Sequence, residues 1–197
     1  MISNVCKIEN GTRDLGAILK ESKKVAIYND LTDKQTMQLR LICEELDGML
    51  PNIVNDFNGD LWIEYENGVC KVCVSINFEE FTVEKKENLI NLAKNKKNAQ
   101  AVGIVGKIRS AIENIFLDKE LTQAYNMSLL FNSAIEYSSG MEYNCMWSLN
   151  NYKKVVKEEQ VEEWDELEKS IIANLADDVI VGVKGHQANI VVVKKFN

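Results

Sequence analysis

Apolar residues in the first third of the chain recur first at helical and then at strand spacing. A short strand is predicted over 2–8, followed by a helix that Thr12 can cap and that carries Leu15, Ile18 and Leu19 on one face. The next helix opens at Thr32-Asp-Lys-Gln35, a capping box in which threonine and glutamine satisfy each other's backbone donors. Leu39, Ile42, Cys43, Leu46, Met49, Leu50 and Ile53 then form one buried stripe. Pro51 has no N–H, and its ring meets the carbonyl of Asp47, so it predicts a kink or an end to this helix.

From Leu61 the period changes to two. Asn67-Gly68 suits both left-handed positions of a two-residue turn, which fixes a hairpin register. Leu61, Ile63 and Tyr65 then share a face with Cys70, Val72 and Val74, while Glu64 meets Lys71 on the other. With one face apolar and one mixed, helices are expected to cover only the first.

Further on, 82–92 reads as a helix or lid-like segment. The lysines Lys94, Lys96 and Lys97 lead into a second strong helix that ends near Phe116, with Ile104, Ile108, Ala111 and Ile115 as its core stripe. Gly103 and Gly106 each cost that helix about 1 kcal/mol, so close packing or close approach of a ligand must compensate. Within 118–155 a helix is expected over 121–135 and a loop at Ser138-Ser-Gly140. A last helix over 161–175 is expected to bury Trp164, Leu167, Ile171 and Leu175. It precedes a terminal hairpin of strands 179–183 and 189–193 turning at Gly185-His186. This order implies an α+β, two-layer α/β sandwich in a single domain, with a mainly antiparallel mixed sheet and helices on one face.

Composition narrows the function classes. With 197 residues, 46% of them hydrophobic, the chain can bury one substantial core. A formal charge of −7 opposes polyanions, so nucleic acid and anionic lipid are not expected partners. No apolar run reaches the roughly 20 residues of a membrane span, and no leader pattern opens the chain, which reads as cytoplasmic. Five scattered cysteines read as reduced thiols rather than a disulfide framework. Cys70 and Cys73 sit three apart on a strand, on opposite faces and roughly 10 Å from each other, too far for one zinc or one disulfide. The single histidine, His186, falls at a hairpin tip, so no nucleophile, base and orienting acid can be assembled.

The segment 31–116, somewhat under half the chain, resembles the Bergerat-type (GHKL, histidine-kinase-like) ATPase fold of gyrase B, heat-shock chaperones, sensor histidine kinases and mismatch-repair ATPases. The features that carry the resemblance are the helix around Leu39-Arg-Leu-Ile-Cys-Glu-Glu-Leu-Asp-Gly-Met-Leu50, the hairpin after it, and the glycine-containing helix start Gly103-Ile-Val-Gly106-Lys107. The nearest look is to anti-sigma-factor serine kinases. In that family a glutamate positions water or acts as base, an asparagine four residues later ligates magnesium, an aspartate after the hairpin bonds adenine, and later glycines hold phosphates. The resemblance therefore implies ATP or ADP with magnesium as cofactor.

Carried over residue by residue, Glu44 matches the catalytic glutamate, and Gly48 stands where the asparagine is required. The alternative register, Glu45 with Met49, is no better, because neither glycine nor methionine can hold magnesium. Asn77 stands nearest the adenine aspartate, inside Ile76-Asn-Phe-Glu-Glu-Phe81, a stretch with no glycine. Gly103, Gly106 and Lys107 match the phosphate box, and no metal ligand is carried over.

Ordinary structure also accounts for these residues. Glu44 follows Arg40 by four, the spacing of a helix-surface ion pair worth a few tenths of a kcal/mol. Asp47 lies one turn from Glu44, a carboxylate pair that many solvated helices share. The lysines before the glycine helix read as a solvated basic loop or an anion site. The acidic run Glu158 to Glu168 reads as a solvated face or the mark of a basic protein partner. The favoured expectation is a degenerate GHKL-like regulatory protein that has lost nucleotide binding and works through a protein partner or as a homodimer. The alternatives are an ATP-binding regulator of the anti-sigma-factor serine kinase type and an unrelated small α/β domain.

Overall fold

The computed structural model describes residues 1–11, 14–54, 56–78, 103–117, 146–159, 170–184 and 186–196. Six strands form one sheet: β1 (Cys6–Glu9), β2 (Phe57–Glu66), β3 (Val69–Phe78), β4 (Met146–Ser148), β5 (Asp178–Lys184) and β6 (Gln187–Lys195). Their order is β1-β2-β3-β6-β5-β4, and all five neighbouring pairs are antiparallel, so the sheet is not mixed. The helices are α1 (Leu15–Tyr28), α2 (Asp33–Ile53), α3 (Gly103–Leu117), α4 (Leu149–Glu159) and α5 (Ile171–Leu175).

Local rules set most of these elements. The Thr32–Gln35 capping box is present, with Thr32 N–H donating to Gln35 Oε1 (2.9 Å) and Gln35 N–H to Thr32 Oγ1 (3.3 Å). Helix α2 passes through Pro51 and ends at Ile53, within a turn of the break. Asn67 (φ +50°) and Gly68 (φ +80°) occupy the left-handed region that the β2–β3 turn requires. The resulting register pairs Leu61 with Val74, Ile63 with Val72 and Tyr65 with Cys70, as alternation predicts. Lys184 pairs with Gln187 at the end of the terminal hairpin, and Gly185 lies outside the described residues.

Three expectations are corrected. Helix α1 is capped by Asp14, whose Oδ1 accepts from Ala17 N–H (3.0 Å); Leu15 faces outward and is 37% exposed, while Ile18 and Val25 are buried. The helix before β5 begins at Ile171, because Ser170 adopts extended backbone angles and its hydroxyl accepts from Ala173 N–H. Its buried residues are Ile172 and Ala173, and Ile171, expected inside, is 41% exposed. Within 118–155, β4 and the first part of α4 form where no periodicity announces them. The predicted elements over 82–92 and 121–135, the loop at 138–140 and the segment 161–169 lie outside the described residues, as does Thr12.

The main core joins one sheet face to the helices. Ile8, Leu61, Ile63, Val72, Val74, Ile76, Val179, Val181, Ile190 and Val192 pack with Ile18 and Val25 of α1, the α2 stripe, and Ile104, Ile108 and Ile112 of α3. The opposite face also carries buried apolar residues. By register Trp62, Cys73, Val191 and Ile180 form one row across β2, β3, β6 and β5. Cys73, Ile180 and the neighbouring Val193 are 2%, 5% and 0% exposed, outside the main core cluster.

Candidate functional site

On α2, Glu44 carries the proposed catalytic carboxylate. Arg40 Nε donates to Glu44 Oε1 at 2.9 Å, and both side chains keep contact with solvent. Asp47, one turn on, is 6% exposed and belongs to the buried side of the helix. Gly48 is exposed, and a side chain added there would meet nothing within 4 Å. Among the described residues, the position that the resemblance assigns to a magnesium ligand thus offers no side-chain ligating atom.

Asn77 sits near the end of β3. Its neighbours Ile76 and Phe78 are in the core, so strand alternation turns the exposed Asn77 to the other face together with Ser75. Asn77 Nδ2 lies 3.4 Å from Asn58 Oδ1, its cross-strand partner. Both amides border a cavity of about 310 Å³, with Glu9, Asn10 and Asp56 around it and Phe57 and Phe78 behind. Among the described residues this bowl is lined by two carboxylates and three amides.

Helix α3 carries the remaining candidates. Gly103 begins it at φ +75°, a conformation that side chains rarely tolerate. Gly106 is buried. Lys107 Nζ stands 5.0 Å from the centre of the Tyr152 ring on α4, and Tyr152 in turn lies 6.0 Å from the Trp147 ring. Such a cation–π contact is worth about 0.5–1 kcal/mol when exposed. Ile104 and Ile108 flank these residues in the main core, so Gly103 to Lys107 belong to the helix side of the sheet. The structure therefore brings Gly103, Gly106 and Lys107 together and leaves Asn77 on the opposite face.

One polar centre escapes sequence reasoning. Asp178, 3% exposed, accepts from Ser148 Oγ with both carboxylate oxygens (3.0 and 2.9 Å), from Asn150 N–H (2.9 Å) and from Val179 N–H (2.8 Å). Ser148 Oγ also accepts from Asn151 N–H (3.3 Å). Together they cap α4 and lock β4 to β5. A serine just before a polar helix start, and an aspartate opening a Val-rich strand, were the available signals. His186 lies at the far end of the same β5–β6 hairpin, edge-on to Phe78 (6.4 Å), so this serine and aspartate have no base to complete a triad.

The four described thiols are buried. Desolvation pushes Cys70 up to about 12, and the thiols of Cys43, Cys73 and Cys6 also titrate above their ordinary value, chiefly because burial disfavours the thiolate. Among the described residues no group of three His, Cys, Asp or Glu side chains could hold a metal ion. No described helix is long and apolar enough to cross a membrane. Comparison with protein-family models, curated proteins and solved structures finds no match.

Proposed function

We propose that this chain is a regulatory protein-interaction module on a scaffold that resembles the histidine-kinase-like ATPase fold, with nucleotide binding lost. The observation that carries the reading is the separation of Asn77 from the Gly103–Lys107 turn by the thickness of the sheet. That separation argues against one nucleotide with its base on Asn77 and its phosphates at that helix start. Two further features support it. Glu44 is held in a local ion pair with Arg40 beside the vacant Gly48 position, so the metal charge that phosphoryl transfer relies on has no anchor there. Large apolar side chains also face solvent, including Ile27 (65%), Tyr28 (75%) and Met37 (54%).

The second reading, an ATP-binding regulator of the anti-sigma-factor serine kinase type, draws on the left-handed Gly103 that opens α3 and on Lys107 one turn later. Calorimetric titration with ATP and ADP, with and without magnesium, separates the two. The interaction module gives no saturable heat at millimolar nucleotide. Saturable binding that is lost in Lys107→Ala and Gly106→Val would establish the nucleotide regulator instead.

A further inference from the structure

We infer that Met1–Val5 is a strap that opens and closes as a unit along β2, hinged at Asn4–Val5 and latched by Glu21 of α1. The strap belongs to the fold itself and stands whether or not the chain holds nucleotide. Strand β1 pairs Cys6 with Leu61 and Ile8 with Gly59. Upstream, the chain continues along β2, where Ser3 N–H donates to the Ile63 carbonyl (2.8 Å) and Tyr65 N–H to the Met1 carbonyl (2.8 Å). Ser3 therefore stands opposite Ile63 while Cys6 stands opposite Leu61, so Asn4 and Val5 together oppose Trp62 alone. Such an extra residue is a β-bulge, which interrupts the ladder and bends the strand.

The two sides of this bulge are held by different forces. Cys6 and Ile8 belong to the main core, whereas Met1, Ile2 and Val5 are exposed, Ile2 by 68% and Val5 by 55%. Ser3 is the strap's one buried residue, and its hydroxyl takes the place of a backbone carbonyl by accepting from Ile63 N–H (2.9 Å). The Met1 amino group donates to the Tyr65 carbonyl (2.7 Å), and Asn29 Nδ2 donates to Met1 Sδ (3.4 Å). The strap thus lies on β2 through polar contacts and buries no large apolar side chain. Hydrogen bonds that water can replace contribute little each, and segments with few buried apolar contacts open locally well before the fold does.

One buried carboxylate offsets that weak hold. Glu21 accepts from Asn4 N–H through Oε2 (3.2 Å) and from Asn4 Nδ2 through Oε1 (3.3 Å), and Lys24 Nζ donates to the same Oε1 from one turn along α1. Hydrogen bonds to an ionised acceptor are roughly twice as strong as neutral ones. Both latch bonds fall on the bulge, so the hinge residue is tied to α1 rather than to β2. With the latch made, Asn4 is fixed and the strap stays on its edge. When it breaks, Ile63 and Tyr65 lose the acceptors of their N–H groups, while Gly59, opposite Ile8, keeps its ladder bonds.

Native-state amide hydrogen exchange of the uniformly labelled full chain, read by NMR at one pH, tests this. Relative to their intrinsic rates, Ile63 and Tyr65 are expected to exchange through one shared opening, about tenfold or more faster than Gly59. Glu21→Ala is expected to raise the exchange of Ile63 and Tyr65 together by about tenfold or more and to leave Gly59 unchanged. Because Glu21 is buried, a second variant probes the latch from its other side. Asn4→Ala alters an exposed strap residue, removes only the Nδ2 bond, and is expected to raise the same two amides by a smaller factor, about threefold or more. Circular dichroism melts establish that each variant is folded. Ile63 and Tyr65 as protected as Gly59 in the wild type would overturn the proposal. So would a folded Glu21→Ala variant that speeds Gly59 equally or speeds neither amide, or an Asn4→Ala variant without effect.

Discussion

Replacing Asp178 by alanine removes the acceptor for three donors: the Ser148 hydroxyl and the N–H groups of Asn150 and Val179. The Asn150 bond is a helix cap, and its loss costs about 1 kcal/mol. The Val179 N–H and the Ser148 hydroxyl are buried, and leaving them unsatisfied adds about 2 kcal/mol. A total near 3 kcal/mol lowers Tm by about 6–12 °C for a chain of this size. Asp178→Asn keeps one acceptor oxygen in the same place and is expected to lose about half as much. Urea denaturation followed by circular dichroism measures both, with the slope m unchanged if only native-state stability is altered. An alanine variant within 1 kcal/mol of the wild type, or an asparagine variant as damaged as alanine, would refute the assignment of this carboxylate as the cap that locks β4 and α4 to β5.

Other outcomes follow from individual residues. A Cβ at Gly59 would stand 2.1 Å from the Ser75 carbonyl oxygen and 2.9 Å from Ile76 Cα, both backbone atoms, so Gly59→Ala is expected to cost about 3 kcal/mol or more in a urea melt. Cys6, Cys43, Cys70 and Cys73 are expected to resist a water-soluble thiol reagent at pH 8 until denaturant is added, as mass spectrometry of the labelled peptides would reveal; rapid native labelling of Cys43 or Cys70 would contradict their burial. Glu21 titrates below the ordinary carboxylate range, first because Lys24 hydrogen-bonds to it and further because Asn4 does. The unfolded chain therefore binds the extra proton in the window between the lowered and the ordinary value. The stabilisation is complete above the ordinary value and is lost as pH falls through that window. Glu21→Gln should flatten the acid limb of a stability–pH profile, and an unchanged limb would show that this carboxylate is not linked to folding.

The parts of the fold that were legible in the sequence are those set by residues close together in the chain. Thr32 and Gln35 reach each other across one turn, and Asn67-Gly68 fixes a register through two backbone angles, so α2 and the β2–β3 hairpin follow from local chemistry alone. The same hairpin parity already places Asn77 with Ser75 and away from Phe78, which is the information that separates it from the glycine helix. Strand β4 spans only Met146–Ser148, too short for any period, and it is held by Asp178, 30 residues away. Ser170 caps a helix with one side chain inside what reads as continuous periodicity. The row of Trp62, Cys73, Val191 and Ile180 comes from four strands: β2 and β3 alternate apolar and polar residues, while the unbroken apolar runs 179–181 and 190–193 were the signal that both faces of β5 and β6 are buried. The order of strands, with β6 between β3 and β5, depends on contacts distant in the chain and leaves no local signature.

The most direct test of the central claim is a two-dimensional amide NMR titration of the uniformly labelled protein with magnesium ATP to millimolar concentration, reading Gly103, Gly106, Lys107 and Asn77. Loss of nucleotide binding predicts that all four resonances stay within the drift caused by ionic strength alone. Saturable shifts of Gly103, Gly106 and Lys107 that a triphosphate-only control reproduces would contradict it by showing that the helix start still holds phosphate.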